Sequence, residues 1–204
     1  MNATKNKPAP TTTQGQIMEN QRLVLWCFMV ASILGFGAFT SAYIVRIAQG
    51  NWLSFPIPDV FMYNCAVVLL SSLSMVMAYR SAKNDELEQV KYYTWGAIIT
   101  GVLFLVIQLV GYRQLTSQSI FFSPARTDNG DLSPLVSGSF FYVITFAHFM
   151  HVVAGLIFLA ILQVKAYRWQ VHKKNMLTIS LASTFWHFVG ILWIYLFLFL
   201  KLYN

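Results

Sequence analysis

The sequence predicts an all-α, polytopic membrane protein of five transmembrane helices, with the N-terminus inside and the C-terminus outside. Three observations carry this. Of the 204 residues, 57% are hydrophobic and only 10% charged, where a soluble domain carries about 25% charged residues. Five apolar segments, about 23–45, 61–79, 92–112, 140–164 and 177–200, each approach the roughly 20 residues needed to cross a hydrocarbon core of about 30 Å. All seven acidic residues, Glu19, Asp59, Asp85, Glu86, Glu88, Asp128 and Asp131, fall outside those segments. The net charge of +7 therefore reads as topology and not as a nucleic-acid surface. Ten of the fourteen Lys and Arg residues sit before helix 1, after helix 2 and after helix 4, which places those regions on the cytoplasmic side.

Residues 1–21, with Pro8, Pro10 and three consecutive threonines, have little to bury and read as a disordered cytoplasmic tail. Residues 22–204 form a single five-helix domain. Its first apolar run is too long for a signal peptide. Helix 1 carries Ala31, Gly35, Ala38 and Ala42 at helical spacing, a small-residue face suited to close packing. The loop after it places Trp52 at the membrane interface, and Pro56 and Pro58 lead into helix 2. Helix 2 holds Asn64, Ser71, Ser72 and Ser74, then gives way to RSAKNDELEQVK, a mixed-charge run read as a solvated face. On helix 3, Gly96, Thr100, Gly101 and Gln108 suit the bundle interior, and Gln108 requires an interhelical partner. The connection 113–139 contains an apolar knot, Ile120, Phe121 and Phe122, which suits either a partner subunit or the membrane interface. Tyr and Trp residues near the segment ends, among them Trp26, Tyr43, Tyr112, Tyr142 and Trp169, form aromatic belts. Cys27 and Cys65 lie at opposite ends of neighbouring helices, too far apart for a disulfide, and read as small core residues.

The chain is organised around TFAHFMHVVAG on helix 4 and WHFVGILW on helix 5. His148 and His151 share a helix face with Thr145 and Gly155. Helix 5 answers with Ser183, Trp186, His187 and Trp193. Polar groups at this depth face protein and not lipid. The histidines read first as hydrogen-bonding groups that fix packing. A second reading makes the chain a b-type cytochrome anchor with His148 and His187 clamping a haem. A metal site at His148 and His151 lacks a thiolate or carboxylate at its level. Arg22, Arg46, Lys165, Arg168, Lys173 and Lys174 are positioned for lipid headgroups, each base near an anionic surface contributing about 1 kcal/mol.

The spans hold no carboxylate of the kind that proton relays keep within the membrane. Nor does the sequence carry a nucleophile with its base, a phosphate loop or a cysteine cluster. The chain reads as a packing subunit with no active site and no catalytic, metal or cofactor-binding residues of its own.

In the PxP entry followed by Asn64, the LLSSLSM run, GVLFLVIQ followed by Tyr112, and the ordered HFMHVVAG and WHFV motifs, the sequence resembles subunit III of the haem-copper terminal oxidases in its five-helix bacterial form. That resemblance implies a multi-pass protein of the bacterial cytoplasmic (inner) membrane in an aa3- or caa3-type cytochrome c oxidase, packed on subunits I and II. Haem and copper would lie in those partners. This chain would bind structural phospholipid and support proton uptake and oxygen access. Further small subunits or a supercomplex with an upstream quinol-oxidising complex are compatible partners; a quinol oxidase or a nitric oxide reductase accessory subunit is the alternative complex. The family usually carries acids where this chain has Ile33, Gly111 and Gly190, so roles tied to those carboxylates are not expected here, whereas lipid binding and scaffolding are.

Overall fold

A computed structural model describes residues 13–49, 52, 55–117, 120, 136–173 and 175–203. It contains five helices, α1 (Thr13–Ala48), α2 (Val60–Lys83), α3 (Leu87–Ser117), α4 (Val136–Tyr167) and α5 (Leu177–Tyr203). All five are long and apolar enough to cross a membrane. At 36 residues, α1 measures about 54 Å. It begins at Thr13, so the segment read as tail is helical in its last nine residues, 13–21. The polar stretch with Gln14, Gln16, Asn20 and Arg22 extends the helix beyond the apolar run, where intrahelical bonds still satisfy the backbone. Residues 1–12 lie outside the described ones.

Helices α2, α3, α4 and α5 close into a ring, each touching the next and α5 touching α2, while α1 lies outside against α4 and α5. Because short connections join α2 to α3 and α4 to α5, both pairs are antiparallel hairpins. The C-termini of α2 and α4 end alike. Glu86 N–H donates to Ser81 O at 2.9 Å and Gln170 N–H to Lys165 O at 3.0 Å, with Asp85 (φ 61°) and Trp169 (φ 58°) in the left-handed region. This is the Schellman closure, made here without glycine. The two turns meet, since Lys173 N–H donates to Asp85 Oδ1 at 2.6 Å.

The mixed-charge run is only partly solvated. Lys91 pairs with Glu88 at 2.8 Å, and its ammonium sits 4.3 Å from the Trp169 ring centroid, with its side chain 13% exposed. Tyr43 and Tyr142, read as belt residues, are buried. Tyr43 packs on Trp52, and the Tyr142 hydroxyl donates to Ile120 O at 3.0 Å. Ile120 is thus buried on its own bundle; Phe121 and Phe122 lie outside the described residues. Cys27 is exposed and not a core residue; Cys65 is half-buried.

The packing face of α1 is not the one its small residues mark. Leu25, Met29, Ser32, Phe36, Thr40 and Tyr43 are buried, a stripe with helical period. Ala31, Gly35, Ala38 and Ala42 are exposed, and a Cβ on Gly35 would meet nothing within 4 Å. Hydroxyls decide the rotation: in lipid, Ser32 and Thr40 gain by facing protein, whereas alanine and glycine are indifferent to lipid.

Candidate functional site

The polar residues of the interior form a set of joints between helices. Near the start of α2, Asn64 Nδ2 donates to Gln108 Oε1 on α3 at 3.1 Å, and both residues are fully buried. One turn along α3, Tyr112 donates to Thr145 Oγ1 on α4 at 3.0 Å; Thr145 donates in turn to Phe141 O at 2.7 Å within its own helix. The partner required for Gln108 is therefore Asn64. Alanine substitutions at both positions, combined in a double-mutant cycle of reversible unfolding in mixed micelles, should return a coupling of about 1 kcal/mol. Zero coupling would remove the joint.

Trp186 is the wedge of the bundle. Its indole lies against Gly101 on α3 and Gly155 on α4, where an added Cβ would come within 2.7 and 2.9 Å of the ring. Its Nε1–H donates to Ser71 Oγ on α2 at 3.0 Å, and Ser71 donates to Ala97 O at 3.2 Å. One side chain thereby links all four helices of the ring. The two glycines leave room for a ring that any larger residue would exclude.

The histidines part company. His148 and His151 are about 60° apart around the helix axis, and α4 has neighbours on three sides, so each turns to a different one. His148 points into the ring, 5.1 Å from the Trp193 centroid and 5.8 Å from that of Phe104. His151 turns to α1: its Nδ1 lies 2.8 Å from Ala147 O and its Nε2 3.1 Å from Ser32 Oγ. As a carbonyl only accepts, Nδ1 carries a proton. His187 faces α2, with Nδ1 2.6 Å from Ser72 Oγ. Helices α4 and α5 do touch, through Trp186 on Gly155 and Trp193 on His148, but His187 is not the contact. Ser183 lies on the buried side of α5.

The haem clamp does not fit this geometry. His148 and Trp186 line a cavity of about 20 Å³, whereas cofactor pockets take roughly 300 Å³ or more. Among the described residues no cluster of three or more His, Cys, Asp or Glu side chains is placed to hold a metal ion.

Of the basic residues, Arg22, Arg168 and Lys173 are exposed and Arg46 is half-buried. Lys165 donates to Thr178 Oγ1 at 2.9 Å. Lys174 lies outside the described residues. Lys165 and Thr178 close one end of an apolar groove of about 730 Å³ between α1, α4 and α5, walled by Phe28, Phe158 and Phe185.

The three positions lacking acids are structurally distinct. Ile33 is 54% exposed on α1. Gly111 is buried against the Phe61 ring, which occupies the space a side chain would need. Gly190 lines the small cavity, with Val68 Cγ1 3.0 Å from an added Cβ. Sequence reasoning missed two joints on α1, Ser32 to His151 and Thr40 Oγ1 to Tyr195 OH at 3.1 Å. The signal was present: Ser32, Phe36, Thr40 and Tyr43 recur every three to four residues.

Fold and site together define a polytopic helical membrane protein whose buried polar side chains join helix to helix. Residues 54–204 match the family described as cytochrome c oxidase subunit III. The chain is 25% identical over 196 residues to the cytochrome bo(3) ubiquinol oxidase subunit 3 of Buchnera aphidicola, covering 92% of this chain and 94% of that one. It is 22% identical to the cytochrome c oxidase subunit 3 of Bacillus sp. PS3, over 88% of this chain and 84% of that one. The human cytochrome c oxidase subunit 3 is 28% identical over 68% of this chain. The chain spans about half the length of the vertebrate relatives it matches, 48% for the human protein. This chain belongs to the subunit III family of the haem-copper oxidases.

Proposed function

We propose that this chain is the non-catalytic subunit III of a bacterial respiratory cytochrome c oxidase of the aa3 or caa3 type, resident in the cytoplasmic membrane. It packs on subunit I, binds structural phospholipid and supports proton uptake and oxygen access in its partners, which hold the haem and copper. The family match over 54–204 carries this reading. The interior supports it: Asn64, Gln108, Tyr112, Thr145, Ser72 and His187 bond one another across helices instead of converging on a reacting centre. The groove beside Lys165 has the apolar walls and cationic end that suit an anionic phospholipid. The distribution of Lys and Arg supports a cytoplasmic N-terminus.

A quinol oxidase is the second reading, favoured by the near end-to-end similarity to a ubiquinol oxidase subunit. Purifying the native complex through this chain, recording its reduced spectrum, and assaying it with reduced cytochrome c and with quinol separates the two. The chain by itself should give no Soret band. A band lost in His148→Ala or His187→Ala would overturn the non-catalytic reading. Lys165→Ala should lower co-purifying anionic phospholipid about fivefold at the groove, the ratio for about 1 kcal/mol per base, read by native mass spectrometry. Unchanged lipid retention would remove Lys165 from that role.

A further inference from the structure

We propose that the cavity beside His148 is a binding site for one water molecule, which joins the imidazole on α4 to the hydroxyls of Ser72 on α2 and Thr100 on α3. His148 is 1% exposed, and neither ring nitrogen has a hydrogen-bond partner among the described residues. A neutral imidazole carries one donor and one acceptor, and buried polar groups in native proteins are nearly always paired. The imidazole lines a cavity of about 20 Å³ together with Ser71, Ser72 and Thr100. A water needs roughly 10–15 Å³ and two to four polar partners. The site offers both.

The free valences of the walls select the ligand. Thr100 Oγ1 donates to Gly96 O at 2.7 Å, so its lone pairs remain. Ser71 accepts from Trp186 and donates to Ala97 O, which leaves it one lone pair. Ser72 shares one hydrogen bond with His187 Nδ1 at 2.6 Å, and whichever partner supplies the proton, a lone pair on Ser72 is left. The hydroxyls thus present acceptors, while His148 presents one donor and one acceptor. The occupant must donate to a hydroxyl oxygen and also pair with a ring nitrogen. Water does both; a dissolved gas such as dioxygen or xenon donates nothing. The remaining walls, Phe104, Val152 and Val189 among them, are apolar, and the Trp186 N–H is taken by Ser71, which leaves no partners for a larger polar molecule. The result is a string from His148 through water to Ser72 and His187 that ties α4, α2 and α5 at mid-bundle.

The test uses the full chain, labelled with nitrogen-15 histidine, assembled with unlabelled partner subunits into its native complex and held in lipid bilayers. Magnetisation transfer from water protons to ring nitrogens is then recorded. Resonances are assigned with His151→Gln, His172→Gln and His187→Gln, which leaves His148 by elimination. The expected result is transfer to one ring nitrogen of His148, reduced at least threefold in the Ser72→Ala, Thr100→Val double variant, with His172 in its loop unchanged. No transfer to His148 while His172 shows it would overturn the proposal. Shifts of the Val152 and Val189 methyls under xenon pressure would also overturn it, because they mark a dry cavity. Should the double variant fail to assemble, the wild-type transfer and the xenon measurement still decide.

Discussion

Chains carrying Gly111→Glu should all but disappear from the purified complex, at least tenfold below wild type by quantitative immunoblot. The substitution places an acid where the resemblance implies one, yet here the space is filled. Phe61 is 1% exposed and its ring lies where the new side chain must start. Overpacking of this kind costs about 1–3 kcal/mol, and a carboxylate buried within a span adds up to about 2.5–3.5 kcal/mol. Gly111→Ala carries the steric part alone and should lie between. Combined with Phe61→Ala in a double-mutant cycle, Gly111→Ala should cost less than the sum of the two single changes, since the ring is the obstacle. Normal assembly of Gly111→Glu would mean that Phe61 does not pack there.

Trp186→Ala should have the second large effect. It withdraws a side chain lying against Gly101 and Gly155 and breaks the bond to Ser71. Large-to-small changes at buried tryptophan cost about 3–5 kcal/mol in soluble cores. In lipid the transfer part is weaker, so about 3 kcal/mol is expected, read as the denaturant midpoint in mixed micelles. Trp186→Phe keeps most of the ring and should cost about 1 kcal/mol. Gly155→Leu should match Trp186→Ala, as it displaces the same indole from the other side. A Gly155→Leu chain as stable as wild type would exclude the wedge.

How far the sequence leads depends on the kind of signal. Five helices follow from apolar runs alone, because in lipid a continuous apolar run of about 20 residues pairs its own backbone as a helix, whereas a barrel strand alternates apolar and polar residues. Their ends are less legible. Helix α1 starts at Thr13, well ahead of the apolar run that opens at Leu23, because polar residues can extend a helix without leaving an apolar cue. Gln108 visibly requires a partner, but Asn64 is identifiable only once the helices are placed. His148 and His151 look like one stripe; which neighbour each meets depends on helix arrangement, which spacing does not encode. On α1 the alanine and glycine stripe competes with the hydroxyl stripe, and the hydroxyls win because only they lose by facing lipid.

The arrangement around α1 sets an order of dismantling. The other four helices are locked in a closed circuit, whereas α1 leans on it from outside, with Ser32 to His151 and Thr40 to Tyr195 among its side-chain ties. Under rising detergent the first rod should peel away whole, leaving a four-rod barrel that still holds its shape.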